Sequence, residues 1–114
     1  MKKLAFVGLL VLLMGGCAAN KDMLYWGDYS STLYDYKKEP SDETRAAHVE
    51  SLEDIIAKST QRGTRIPPGV YAELGYMHIE TGSTELGAKY LQLEVDTYPE
   101  SQKFISTIQQ RITE

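Results

Sequence analysis

The chain has 114 residues, 42% of them hydrophobic and 25% charged, with a formal net charge of −4. That length allows one domain with a modest core. The balance is neither strongly basic nor poor in apolar residues, which argues against a dedicated nucleic-acid binder and against a disordered tail.

Met1-Lys2-Lys3 is a short cationic start, and Leu4 to Met14 is an apolar run of eleven residues. Such a run is too short for a permanent bilayer span and fits an export signal. It ends in "LMGGC", with Gly15 and Gly16 before Cys17, the chain's only cysteine. The segment resembles a bacterial lipobox, with Met14 where leucine is commoner. The resemblance implies a signal peptide over 1–16, cleavage between Gly16 and Cys17, and covalent lipid on Cys17 as the only prosthetic group. Multiple acyl chains make such an anchor stable. Ala18 in place of Asp implies, by the sorting rule of lipoproteins as a class, transfer to the periplasmic face of the outer membrane. Loss of Lys2 and Lys3 leaves ten basic and sixteen acidic side chains, so the mature domain is acidic. A short tether over 17–23 follows. The six residues Ala18 to Met23 span at most about 20 Å, which holds the domain close to the membrane.

A helical domain over 24–114 is expected next. "LYWGDYSSTLYDY", Leu24 to Tyr36, holds five of the chain's eleven aromatics. Tyr25, Tyr29, Leu33 and Tyr36 share one helical face, while Gly27 and Ser30-Ser31-Thr32 weaken the helix. Tyr34 points off that stripe and Trp26 sits at its edge, which marks both as contact candidates. After Pro40, Ser41 reads as the N-cap of a long helix ending at Gly63, with Val49, Leu52, Ile55, Ile56 and Ser59 inward. Pro67-Pro68 suits a helix entrance, and Val70, Leu74 and Met77 recur at helical spacing. Gly82 supplies a left-handed stop, Ser83 a candidate cap, and Pro99 the end of the next helix. Gly87, Tyr90, Leu91, Glu94 and Tyr98 lie along one face of that helix. Phe104, Ile105, Ile108 and Ile112 predict an amphipathic capping helix over 101–114.

Pro68 to Ser101 resembles a tetratricopeptide repeat of about 34 residues. Tyr71 stands at the motif's first aromatic, Leu74-Gly75 at its Leu-Gly pair, Gly87 and Leu91 at its small and bulky positions, and Pro99 at its closing proline. His78 and Glu94 depart from the usual Tyr and Ala, which makes them contact candidates as well. The implied fold is all-α: tetratricopeptide-like stacked hairpins, about two repeats, plus a capping helix. Tyr25 to Ser101 is also similar to a family of small proteobacterial outer-membrane lipoproteins with such a domain. Their genes often neighbour a lipoprotein related to the curli secretion channel, which that resemblance implies as a partner.

Little in the sequence points to chemistry. His48 and His78 are the only histidines. Neither "HVE" nor "HIE" places two ligands on one helical face, so no metal site is expected. "TGSTELG" lacks the lysine and spacing of a phosphate loop. No serine resembles a nucleophile elbow. The expectation is therefore a non-enzyme that binds no nucleic acid and has no evident small-molecule substrate: an envelope adaptor meeting a protein partner through Trp26, Tyr34, His78 and Glu94. A peptidoglycan binder using Trp26 and its neighbouring tyrosines is the alternative, and a purely structural oligomer subunit a third.

Overall fold

The computed structural model describes residues 23–113. The signal segment, Cys17 and most of the tether lie outside the described residues. The described residues form five α-helices and no strand. No helix among them is long and apolar enough to cross a membrane.

The first helix, α1, covers Tyr29–Lys38. It starts later than the aromatic stripe predicts. Gly27 adopts a left-handed backbone at φ +50°, and the chain turns there. Tyr25 and Trp26 therefore precede the helix rather than belonging to it. No residue of α1 is buried; Tyr29, Leu33 and Tyr36 are partly covered.

The second helix, α2, covers Asp42–Arg62, with Ser41 as cap. Ser41 Oγ accepts from the Thr44 N–H at 3.1 Å, and Thr44 Oγ1 accepts from the Ser41 N–H at 3.0 Å. This reciprocal box satisfies donors that a helix start leaves open. Gly63 closes α2 in the left-handed conformation. Both ends fall where the sequence places them. Leu52, Ile55 and Ser59 are buried, with Val49 and Ile56 partly so.

The third helix, α3, covers Val70–Glu80, and the fourth, α4, covers Thr84–Thr97. Pro67 and Pro68 stand before α3, which begins past Gly69. The Ser83 side chain makes no capping bond. Hydrogen bonds and close contacts pair early α3 with late α4 (Gly69 and Ala72 with Glu94) and late α3 with early α4 (Ile79 with Gly87), so the hairpin is antiparallel. At its crossing a Cβ on Gly75 would lie 2.7 Å from Gly87 O, and one on Gly87 would lie 2.6 Å from Gly75 O. Only glycine admits backbones this near.

Tyr98 and a 3-10 turn, Pro99–Ser101, lead into the last helix, α5, Gln102–Thr113. Tyr98 Oη donates to Ile66 O at 2.6 Å and ties the end of α4 to the α2–α3 loop. Two apolar clusters fill the interior. One joins Leu52 and Ile55 to Ile66, Val70, Leu74 and Met77; the other joins Ala72, Leu91 and Ile105. Burying each large aliphatic side chain contributes about 1.5–3 kcal/mol. Ile105 packs inward from α5 as expected, but Phe104 is 62% exposed, because one residue step along the helix turns its direction from that of Ile105 by about 100°.

Candidate functional site

A groove of about 640 Å³ runs between α3 and α5. Ala72, Tyr76 and Ile79, at i, i+4 and i+7, form one wall. Phe104, Ile108 and Ile112, at i, i+4 and i+8, form the other. Tyr76 is 47% exposed and Phe104 62%, so two large rings stand open to solvent beside each other's walls. Glu73 and Glu80 edge the α3 side, and Arg111 edges the α5 side. The groove is thus apolar inside and charged at the rim, which suits an amphipathic segment.

Buried polar bonds fix the α3 wall in place. Glu94, only 1% exposed, reaches from α4 to the start of α3. Its Oε1 accepts from the Gly69 N–H at 3.0 Å and the Ala72 N–H at 3.1 Å. A carboxylate at a helix N-terminus satisfies open donors and opposes the helix dipole. This placement takes Glu94 off the surface, contrary to its expected place among contact residues.

Glu73 works from the other side of α3. Its Oε1 lies 2.5 Å from His48 Nε2 on α2, and its Oε2 accepts from Tyr29 Oη at 2.6 Å. His48 Nδ1 lies 2.8 Å from Thr32 Oγ1 on α1. One buried imidazole therefore joins three helices. Burial first, and then the hydrogen bond and negative charge of Glu73, raise the Tyr29 hydroxyl above its ordinary pKa of 10.0. The order Thr32–His48–Glu73 matches that of a proton relay. Yet His48 is wholly buried and both ring nitrogens are engaged within the fold, so no substrate reaches it.

Arg45 holds the far end of the α3 wall. Its Nη1 donates to Glu80 Oε2 at 2.9 Å and to Tyr36 Oη at 3.3 Å, and its Nη2 donates to Met77 O. The Glu80 hydrogen bond, chiefly, raises the Arg45 pKa above its ordinary value.

Of the residues expected to make contacts, Trp26 is 40% and Tyr34 62% exposed. They do not form one platform: Trp26 sets its edge against Tyr29 at 5.1 Å, while Tyr34 lies under Lys38. His78 is half-buried and stacks on Tyr90 at 5.7 Å. His48 and His78 occupy separate settings, and among the described residues no group of three His, Cys, Asp or Glu could hold a metal ion. Tyr76, Phe104, Glu73 and Arg111 were not singled out by the sequence as site residues. Phe104 lies in the stripe read for the last helix, but the stripe read for α3 was Val70, Leu74 and Met77, not the Ala72–Tyr76–Ile79 wall, and spacing alone does not tell a buried stripe from an open one.

Residues 23–108 match the family model described as Domain of unknown function (DUF4810). No curated protein and no solved structure matches the chain.

Proposed function

The chain belongs to the DUF4810 family, and from that premise we propose that it is a lipid-anchored adaptor of the bacterial envelope, a protein-binding module rather than an enzyme. In this reading Cys17 carries the lipid and the helical domain hangs close under the outer membrane on its periplasmic side. The successive antiparallel hairpins, with glycine against glycine at the α3–α4 crossing, support a tetratricopeptide-like plan in which α5 is the added terminal helix. The observation that carries the reading is the groove between α3 and α5, whose apolar walls no other part of the described chain fills. Each wall is about 10–12 Å long, enough for about two turns of a partner helix. At its rim Glu73 and Glu80 are already bonded to His48, Tyr29 and Arg45, so Arg111 is the charge that favours a partner helix, one carrying an acidic residue toward it.

Photo-cross-linking in the native envelope tests the proposal. A photoreactive residue replaces Phe104 in the groove, or Gln110 on the far side of α5. One discrete adduct is expected at 104 alone, lost on Ile108→Glu with helicity intact. Adducts at both positions, or at neither, would overturn the groove. The anchor is tested separately: Cys17→Ser should abolish fatty-acid labelling and release the protein from membranes, and retention of either refutes the lipid.

The 40% exposure of Trp26 favours one second reading, peptidoglycan binding. An aromatic ring there can stack on a sugar face. Retention on purified peptidoglycan that Trp26→Ala removes would support it, and no retention would end it.

A further inference from the structure

The chain is acidic as a whole, with a formal net charge of −4, but the end at which the tether enters the domain is basic. Tyr25 joins that entry to the last turns of α2. Lys58 Nζ stands 5.5 Å and the Arg62 guanidinium carbon 4.6 Å from the centroid of its ring. Cations at this range are attracted to the face of an aromatic ring. Arg65 follows in the loop after Gly63. Both arginines are exposed, and neither forms an ion pair among the described residues.

The nearby acids do not cancel this charge. Asp54 is engaged by Tyr25 Oη at 2.8 Å and by Lys58 Nζ at 3.4 Å. Asp28 and Glu50 line a hollow nearer the middle of α2. At the opposite end of the α1–α2 hairpin the balance reverses: Lys37 and Lys38 meet Glu39, Asp42 and Glu43.

The same entry exposes apolar groups. Met23 is 78% and Trp26 40% exposed, on either side of Tyr25 in the chain. Single exposed apolar residues are ordinary on a protein surface. What gives these weight is their company. Trp and Tyr with Lys and Arg beside them compose a membrane-interface surface, where rings sit at headgroup level and cations reach the phosphates.

Chain length identifies what meets this surface. The inference rests on the reading of Cys17 as the lipid anchor. From that anchor the six residues Ala18 to Met23 reach at most about 20 Å. The entry end is thus held within that distance of the bilayer, whichever way the rest of the domain turns. We propose that the entry end docks on the bilayer surface, with Arg62 and Arg65 toward the phosphates of anionic headgroups and Met23 and Trp26 at the headgroup–acyl boundary. Docking occupies Trp26, so it and sugar stacking exclude one another.

Trp26 is the chain's only tryptophan and serves as the probe. The full-length protein, purified from membranes, is reconstituted into phosphatidylethanolamine vesicles containing phosphatidylglycerol, or into phosphatidylcholine vesicles, each with brominated acyl chains as quencher. In the anionic vesicles Trp26 emission should be quenched and blue-shifted, and much less so in neutral vesicles or at high salt. Arg62→Gln and Arg65→Gln should each lower the ratio of docked to undocked domain about fivefold, with helicity intact. The pair Lys37→Gln and Lys38→Gln, at the far end of the hairpin, should leave that ratio unchanged.

Fatty-acid labelling reports the anchor separately. Quenching without label supports the contact and refutes the anchor. Label without quenching overturns the contact, leaves the anchor standing and favours an acidic protein as the occupant. Equal quenching in neutral vesicles overturns the contact too, since tethering alone would then suffice. So does an equal loss in the lysine pair, which would mean a response to net charge.

Discussion

The two helical hairpins of this protein are held by different physics. In α3–α4 the backbones meet through Gly75 and Gly87, and Leu74, Leu91 and Val70 are almost wholly buried around them. In α1–α2 the outer helix buries nothing completely. It is held by half-covered tyrosines and by a polar chain, Thr32 to His48 to Glu73 to Tyr29. Packing of the first kind is non-directional and additive, whereas a buried polar network stands or falls as a unit. The comparison implies that α3–α4 forms the stable body, and that α1 is the part free to open first.

Substitutions at the glycine crossing should break the body. Gly87→Leu puts a side chain where a Cβ already meets Gly75 O at 2.6 Å and Ile79 Cγ1 at 2.4 Å. The expected loss is about 3 kcal/mol or more, read by urea unfolding, with all helices affected together. His48→Ala should cost less and act locally. It empties a buried site and leaves the partners on Glu73 and Thr32 unsatisfied, for about 2–3 kcal/mol. Amide exchange should accelerate in α1 while α3 and α4 keep their protection; uniform acceleration would refute the division into two regions.

Glu94→Ala tests the body from its polar side. Two amides at the start of α3, that of Gly69 just before it and that of Ala72 in its first turn, lose their acceptor, and about 1–2 kcal/mol should go with it. Exchange at Gly69 and Ala72 should rise before exchange elsewhere in α3. The smallest effect is alkaline. Tyr29 has a folded pKa raised above its unfolded value, so its contribution is fully present below pH 10.0 and is lost as pH rises beyond that. Stability should therefore be flat up to about pH 10 and then fall, as part of a broader decline as other tyrosines ionise. Tyr29→Phe should make that decline shallower. An identical alkaline profile in the variant would remove Tyr29 from the network.

The sequence was legible where the signal was local. Ser41 as cap, Gly63 and Gly82 as left-handed stops and Pro99 as a terminator act within one turn of their own positions, and the structure has each boundary there or within two residues. The start of α1 misled because aromatic spacing continues through Gly27, while the backbone does not. Phe104 misled because adjacent residues of an apolar run were read as one face.

By itself, then, the sequence determined an all-helical chain, the boundaries of most of its helices, and the glycines at which two of them meet. Only the tertiary structure decided that Glu94 turns inward to cap α3, that His48 joins three helices, and that the stripes on α3 and α5 leave a groove open. The reason is distance along the chain. Ala72 and Glu94 are 22 residues apart, His48 and Glu73 are 25, and Tyr29 and Glu73 are 44. A cap or a stop is chosen by neighbours a turn away, but a buried charge finds its partner only after the helices have packed.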